Sequence, residues 1–501
     1  MVSSMDPIVP SILLRRDHEE PPPPPQQQHE QLHPSRTKPS KKVYDRLKSN
    51  DENLQTVEFR YQHIDQRRLA KAIAINTYLK TLELVASVQT AGVGGGFWSH
   101  SQGLAREPEL CYYYDDYGDG PDSDSDNCWN LFPSVRWPFC GSEPELGLAC
   151  EIYTLCCDGI QHNQALVSLN LSQNHLGSYG ANCLQQALEQ HPSLKVLKLS
   201  RCQLEDDGLR KLACSSLGVL EELDLSCNQI SDGVYLGKLL YRNRNLRRLD
   251  FSKNYLSNVG CEDFLDEHGL GSLCSLNLAS NHIGRLGATA LGMALTLPSC
   301  CLEELILNDN VFLGEAGLLA LGTKGLLVNS SLIKLSINNC SVGDVGAAIL
   351  AQCLSMHPCI QELTLSANHL TIKGAAVCLQ SMSTLLKLDL SWNRVGNACY
   401  CGDQDFDPTE GEELVAIMRN SNIMLREINL SHTPLPVAHR RSLDFWTALN
   451  RTGSRRLLRE YKDYDSSALI GLWPQVLERA SGDPEILFYL LTKFPAMMVT
   501  P

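Results

Sequence analysis

The chain has 501 residues, 43 Lys and Arg against 57 Asp and Glu, a formal charge of −14 and 20 cysteines. That acidic balance argues against nucleic acid and anionic membrane as partners, since basic patches carry the affinity for both. No stretch is apolar for long enough to span a bilayer, and a chain of this length can bury a large core without disulfide staples.

Residues 1–41 read as a disordered tail rich in Pro and Gln, with Pro21–Pro25 and Gln26–Gln28 as low-complexity runs. Ile8 to Leu14 is apolar but short, is broken by Pro10 and follows Asp6, which reads against a secretory signal. Lys38-Pro39-Ser40-Lys41-Lys42 is a nuclear-import candidate; a solvated linker is the preferred reading. Two degenerate copies of a leucine pattern follow: Leu54, Val57, Phe59, Gln62 and Ile64, then Leu79, Leu82, Leu84 and Ser87. Arg67 to Ile73 reads as the helix of the first.

The period then breaks into an irregular insertion at about 90–144. From Glu107 to Asp126 it holds eight acids and no Lys or Arg, a composition that predicts a solvated, disordered block. Asp122, Asp124 and Asp126 alternate as calcium ligands would. A calcium loop, however, needs Gly at its sixth place and Glu at its twelfth, where Asn127 and Pro133 stand. A helix around Leu148–Leu155 leads out of the insertion. The simplest account is a second copy with a long loop between its strand and its helix; a separate N-terminal capping domain is the alternative.

From Leu166 to Leu435 the pattern L-x-x-L-x-L-x-x-[N/C]-x-[L/I/V/F] recurs ten times. Its ninth position falls on Asn174, Cys202, Asn228, Asn254, Asn281, Asn310, Cys340, Asn368, Asn393 and Thr433. A fixed period of this length predicts a stacked solenoid whose copies bury their leucines only against each other. The alternation around the fourth and sixth positions is strand-like, with Leu169 and Leu171 on one side and Ser168, Asn170 and Ser172 on the other. The Asn would satisfy backbone groups where the strand turns away, and a Cys in that slot would be a small, buried, weak donor. Apolar residues at three- and four-residue spacing then predict a helix, as in Gly346–Leu354. Ser178, Asp206, Asp232, Asn258 and Asp344 are its candidate N-caps. A glycine soon after, such as Gly180, Gly233 or Gly346, would allow close packing.

Strand, turn and helix in each near-28-residue copy, with alternating Asn and Cys, resemble the ribonuclease-inhibitor type of leucine-rich repeat. The resemblance implies an α/β fold: a right-handed horseshoe of about 12 repeats, parallel strands concave and helices convex. The solenoid is placed at 42–452, with a smaller insertion at 397–408 that includes Cys399 and Cys401. Residues 453–501 read as a helical cap, in which Trp473, Leu477, Leu487 and Leu490 would cover the layer of Ile428 and Leu430.

Signatures of chemistry are missing. Gly317–Lys324 approaches a phosphate loop but lacks the Gly-Lys-Ser/Thr order and falls inside a repeat helix. Gly92–Phe97 is not a dinucleotide loop, because Phe97 replaces the third glycine. Cys156-Cys157, Cys300-Cys301 and Cys399-x-Cys401 lack zinc-ligand spacing. Cysteines such as Cys183, Cys214 and Cys378 fall on repeat positions that should be buried, so reduced thiols and a cytoplasmic location are expected. The reading is non-catalytic, with no cofactor, no metal and a monomeric chain.

What remains is the outward face of the strands. Its fifth-position row includes Asp224, Asp250 and Asp389, and its eighth-position row includes Arg201, Lys253 and Trp392. Asp224 and Asp250 are acids in adjacent copies flanked by Arg201, Arg248 and Lys253. Trp392 is a large aromatic where exposure is expected, and such residues anchor interfaces. The set nominated for partner binding is Arg201, Asp224, Arg248, Asp250, Lys253, Asp389 and Trp392; charged pairs between neighbouring strands are the competing structural reading. The leading function is a scaffold that grips a protein, a basic one fitting the net charge. Ran GTPase-activating proteins share this repeat type, so a small GTPase is a second candidate partner, although the acidic C-terminal run usual there is missing. A sensor segment of an innate-immune-type receptor is a third, as a truncated or partnered version without a nucleotide-binding module.

Overall fold

A computed structural model describes residues 41–60, 64–85, 152–214, 216–265, 270–382, 384–396, 411–453, 478, 482 and 484–493. The tail before residue 41, the acidic insertion, the 397–408 insertion, Trp473 and Leu477 lie outside the described residues.

Twelve strands form one parallel sheet in strict chain order. They are Thr56–Arg60 (β1), Thr81–Val85 (β2), Ser168–Asn170 (β3), Val196–Lys198 (β4), Glu222–Asp224 (β5), Arg248–Asp250 (β6), Ser275–Asn277 (β7), Glu304–Ile306 (β8), Lys334–Ser336 (β9), Glu362–Thr364 (β10), Lys387–Asp389 (β11) and Glu427–Asn429 (β12). Helices α1 (Lys41–Lys48) and α2 (Gln66–Ile75) belong to the first turns of the chain. Gly177–Leu188 (α3), Glu205–Leu212 (α4), Gly233–Arg242 (α5), Asn258–Leu265 (α6), Arg285–Leu295 (α7), Gly314–Leu321 (α8), Gly343–Leu354 (α9), Ile372–Ser381 (α10), Glu412–Asn420 (α11) and Val437–Arg451 (α12) each follow a strand. Pro484–Lys493 (α13) comes last. Neighbouring strands sit about 4.8 Å apart while packed helices need about 8–10 Å. A stack of such coils must therefore curve, with the sheet on the inside.

The registers put like on like: Leu169 pairs with Leu197, Leu197 with Leu223, Leu223 with Leu249 and Leu249 with Leu276. These leucines are at most 2% exposed, and the flanking strand residues are half-exposed or exposed on the opposite side. Strand β2 pairs directly with β3, Leu82 opposite Leu169, so the long segment between them leaves the stack uninterrupted. The helix expected around 148–155 is described from Ile152 and runs further, through a π-helical turn at Thr154–Gly159 into a 3-10 turn at Ile160–His162. It lies beside α2 so closely that a Cβ on Gly159 would sit 2.9 Å from the Ala70 Cα.

Hydrogen bonds bind each coil to the next. Asn254 Nδ2 donates to the carbonyls of Leu225 (3.0 Å) and Phe251 (3.1 Å), and its Oδ1 accepts from the amides of Asn228 (3.0 Å) and Ile230 (3.1 Å) of the preceding coil. Asn228 and Asn393 repeat the arrangement. Cys202 and Cys340 take the same slot, each thiol donating at 3.2 Å to a carbonyl one coil back, Leu171 and Leu307.

A second ladder, which the sequence reading did not single out, lies in the turns before the strands. Asn329 Oδ1 accepts from the amides of Ser331 (3.1 Å) and Leu332 (2.9 Å), and its Nδ2 donates to Leu295 O at 3.0 Å. Asn76, Asn163 and Asn422 do the same. His191 and His357 take this place in two coils, with Nδ1 accepting from Leu194 N and Ile360 N, both at 3.1 Å.

The helix starts depart from expectation. Of the candidate N-caps, Asp232 caps its own helix, accepting from Tyr235 N at 3.0 Å. Asp206, Asn258 and Asp344 instead reach across to the next coil: Asn258 Oδ1 accepts from Gly284 N (2.8 Å) and Gly287 N (2.9 Å), and Asp344 Oδ1 from Thr371 N (2.8 Å) and Gly374 N (3.1 Å). Ser178 lies within α3 and makes no cap bond. These side chains sit in the first helical turn and reach free amides at the start of the neighbouring helix. The repeated glycine makes room for the apolar residue four places before it: a Cβ on Gly180 would lie 2.7 Å from Leu176 Cβ. At the end of the stack, α12 buries Leu443, Trp446 and Leu449, and α13 adds buried Ile486 and Leu490. Tyr489 meets Trp446 (5.5 Å) and Phe445 (5.3 Å) edge to face. Leu487, nominated for the cap, is only half-buried, and Ile486 takes the buried place on that helix.

Candidate functional site on the concave face

The strands present three outward rows to the inside of the curve. The third-position row is a charge ladder that neutralises itself: Arg248 pairs with Glu222 (3.4 Å), Lys334 with Glu304 (2.8 Å) and Lys387 with Glu362 (2.8 Å). Exposed pairs of this kind contribute little stability, about 0–1 kcal/mol each, but they leave few charges unengaged. Arg248, nominated as a cation beside Asp224 and Asp250, is thus committed to Glu222.

The fifth-position carboxylates are also engaged. Asp224, Asp250 and Asp389 each accept through Oδ1 from the amide two residues on, at 2.9, 2.9 and 2.8 Å. Asn170, Asn277 and Asn429 make the same turn in other coils, at 3.0, 3.0 and 3.1 Å. Oδ2 of Asp250 and of Asp389 accepts from Asn277 and Asn429 of the next coil, both at 3.0 Å. The short side chain at this place closes a local turn, so its recurrence is a folding requirement first. Burial pushes the Asp224 carboxyl up; bonds from Ser226 oppose this, Asp250 opposite it in register adds to it, and Lys198 counters it. Lys198 is therefore the nearby cation that the nominated set omitted.

The eighth-position row has a conformation that the pattern alone did not reveal. Gln173, Arg201, Cys227, Lys253, Ser280, Asp309, Asn339, Ala367, Trp392 and His432 are all left-handed, with φ between 52° and 63°. For a residue with a Cβ this costs on the order of 1–2 kcal/mol. It turns the chain out of the strand and leaves the side chain free of the core. Arg201 and Lys253 are exposed here and make no ion pair among the described residues. Trp392 is 59% exposed, and its ring stacks on His432 of the next coil at 4.0 Å between centroids and 16° between planes. His432 was visible in the row but was not nominated; only the register, which sets β11 beside β12, makes it a pair.

The nominated residues therefore fall in two places. Arg201, Asp224, Arg248, Asp250 and Lys253 come together on β4 to β6 and the turns that follow, and Asp389 and Trp392 stand together at β11. A further exposed apolar group lies on the rim just past the strands. Tyr255, His282 and Phe312 form a row with centroids 5.9 and 6.4 Å apart. Phe312 occupies a turn one residue longer than its neighbours, between Asn310 and Leu313.

Comparison with known proteins agrees with this geometry. A family model described as Leucine Rich repeat matches residues 162–184, 190–213, 219–233, 242–265, 272–292 and 381–398. The ribonuclease inhibitor of Sus scrofa is 31% identical over 254 residues, 48% of this chain and 54% of its own length. NACHT, LRR and PYD domains-containing protein 12 of Mus musculus is 28% identical over 344 residues, 65% of this chain and 31% of its own length. The chain thus spans about half of the inhibitor and about a third of the longer relative. Among solved structures, a TLR13–ssRNA13 complex aligns with 56% of this chain and 34% of its own at 19% identity, with a TM-score of 0.37, too loose a likeness to carry a functional step. The class is that of leucine-rich-repeat proteins. Within it, the Asn and Cys ladder, the helix in every coil and the inhibitor match make this a protein with repeats of the ribonuclease-inhibitor type.

Proposed function

We propose that the chain is a non-catalytic scaffold that holds a protein partner on its concave face, with the Trp392–His432 pair as the apolar anchor. The observation that carries this reading is the exposed stack itself. A tryptophan in a left-handed position adds a conformational cost, and the residue stays 59% exposed although its ring stacks on His432. Nothing in the fold requires an indole there, whereas Trp is enriched among the residues that dominate binding energy at interfaces. The neutralised third row and the turn-closing aspartates leave Arg201 and Lys253 as free charges on this face. A partner offering an apolar group to Trp392 and acidic groups to Arg201 and Lys253 fits better than the basic partner suggested by net charge alone. The similarity to a protein named as a ribonuclease inhibitor supports a protein as the ligand.

The test is a pulldown with the parent chain and with Trp392→Ala, alone and combined with Asp224→Ala and Asp250→Ala. Trp392→Ala should lose the partners retained by the parent while keeping its unfolding midpoint; unchanged binding would remove this surface from consideration. Adding the chain to Ran and measuring GTP hydrolysis separates scaffolding from GTPase activation.

A further inference from the structure

Fourteen cysteines fall among the described residues, and all are free. Cys156, Cys157, Cys183, Cys202, Cys261, Cys340, Cys353 and Cys378 are buried, and burial pushes these thiols up, Cys202 and Cys378 to about 12. Those eight side chains are closed off from solvent, so an oxidant does not reach them. Cys300 packs against the core. Cys214 is exposed, and Cys227 and Cys359 are half-exposed.

Cys274 and Cys301 differ. They are half-exposed, in adjacent coils, where the chain leads into β7 and β8. The Cys274 carbonyl accepts from the amides of Glu303 (2.8 Å) and Glu304 (3.0 Å), which fixes the starts of these two strands side by side. Cys301 Sγ lies 3.5 Å from the carbonyl oxygen of Leu273 and Cys274 Sγ 4.0 Å from that of Ser272, so the two thiols rest against consecutive carbonyls of one turn. Cys274 opens onto a shallow cleft with Arg247, Arg248, Ser275, Glu303 and Glu304. Burial pushes its thiol up and the neighbouring Cys301 adds to this, while the charge of Arg247 favours its thiolate. The pair thus joins access from solvent with a partner thiol already in place.

We propose that Cys274 and Cys301 are a redox modification site, closing to an intrachain disulfide when hydrogen peroxide reaches the cleft. One thiol is oxidised to a sulfenic acid as peroxide is reduced to one water. The neighbouring thiol then attacks that sulfur, the S–S bond forms and a second water leaves, so two thiols and one peroxide give one disulfide and two waters. The bond joins the coil of β7 to that of β8, and a thiol reductant reverses it.

The experiment is titration of the full chain with hydrogen peroxide, then alkylation, tryptic digestion and mass spectrometry without reduction. Cleavage after Lys253, Arg285 and Lys324 places Cys274 and Cys301 on separate peptides. The proposal predicts a linked pair of those peptides, fragmenting to a Cys274–Cys301 bond, at peroxide doses that leave Cys261 and Cys202 alkylatable. The linked chain should show a raised unfolding midpoint that returns on reduction. Cys274→Ser and Cys301→Ser should each abolish the link, leaving the other cysteine to be trapped as its sulfenic acid by a dimedone-type probe. Recovery of Cys274 and Cys301 only as separate alkylated or over-oxidised peptides, or a link equally abundant in Cys301→Ser, overturns it.

Discussion

His191 and His357 stand where other coils use asparagine, and the exchange has a chemical consequence. Asparagine accepts two amides through oxygen whatever the pH. The histidines must accept through a neutral Nδ1, and protonation would turn that acceptor toward N–H donors. Burial lowers both imidazoles below the usual 6.5, and no charged side chain among the described residues offsets it. Nε2 of His191 and of His357 is buried with no hydrogen-bond partner among the described residues. The sign follows from linkage. The unfolded chain takes up protons near 6.5 and the folded chain only below that. The neutral-histidine contribution is therefore whole above about pH 6.5 and is lost as pH falls toward the lowered folded values. His369, lowered by burial and by Arg394, acts in the same direction. Unfolding midpoints at about pH 7.5 and 5.5 should fall further in the parent than in a His191→Asn, His357→Asn double variant; equal slopes would mean that these rings do not titrate on unfolding. The ladder itself was half legible. Position nine announced its asparagines by near-constant residue type, whereas the place three residues before the first leucine mixes Asn with His and holds Leu217, Leu270 or Met382 in other coils, so its constant spacing did not stand out. The left-handed eighth position was likewise invisible, because ten different side chains share one backbone shape without a common residue.

Each coil depends on its neighbour for both leucine burial and amide satisfaction, so damage at one coil is felt across an interface. Asn254→Ala removes an amide that serves four backbone groups in two coils. With about 1–3 kcal/mol for a buried polar group left unpaired, it should destabilise by at least 1 kcal/mol in denaturant titration. Leu225→Ala or Leu278→Ala should cost about 2–5 kcal/mol, both side chains being fully buried. At Gly233 two coils approach so closely that a Cβ would lie 1.9 Å from the Gly260 carbonyl oxygen. Gly233→Ala should therefore unfold at lower temperature than the parent, an effect absent only if α5 can slide away from α6. Strand and helix placement was readable from alternation and from three-and-four spacing. Caps were misplaced because a sequence window sees only the helix to which a residue belongs, whereas Asp206, Asn258 and Asp344 act on the next one.

At the scale of the whole molecule, repetition writes the fold and exceptions to it write the candidate site. The ten-copy pattern carried the parallel order of strands, and the two degenerate copies at 54–87 joined the same sheet because their leucines keep register with β3. The concave rows were legible as positions but not as a site. Whether a charge is spent on a neighbour depends on pairing across strands, which converts Arg248 from a free cation into the partner of Glu222 and makes Trp392 and His432 one surface. The central claim is that this inner surface, rather than the rim or the helices, meets the partner. The most direct measurement replaces single residues with a photo-crosslinking amino acid at His432 and, as the control, at Met356, which is 89% exposed in the turn after α9. The account predicts that partner proteins are captured from the His432 position and are lost when Trp392→Ala is added, with little capture from Met356. Capture from Met356 alone, or capture at His432 indifferent to Trp392, would contradict it.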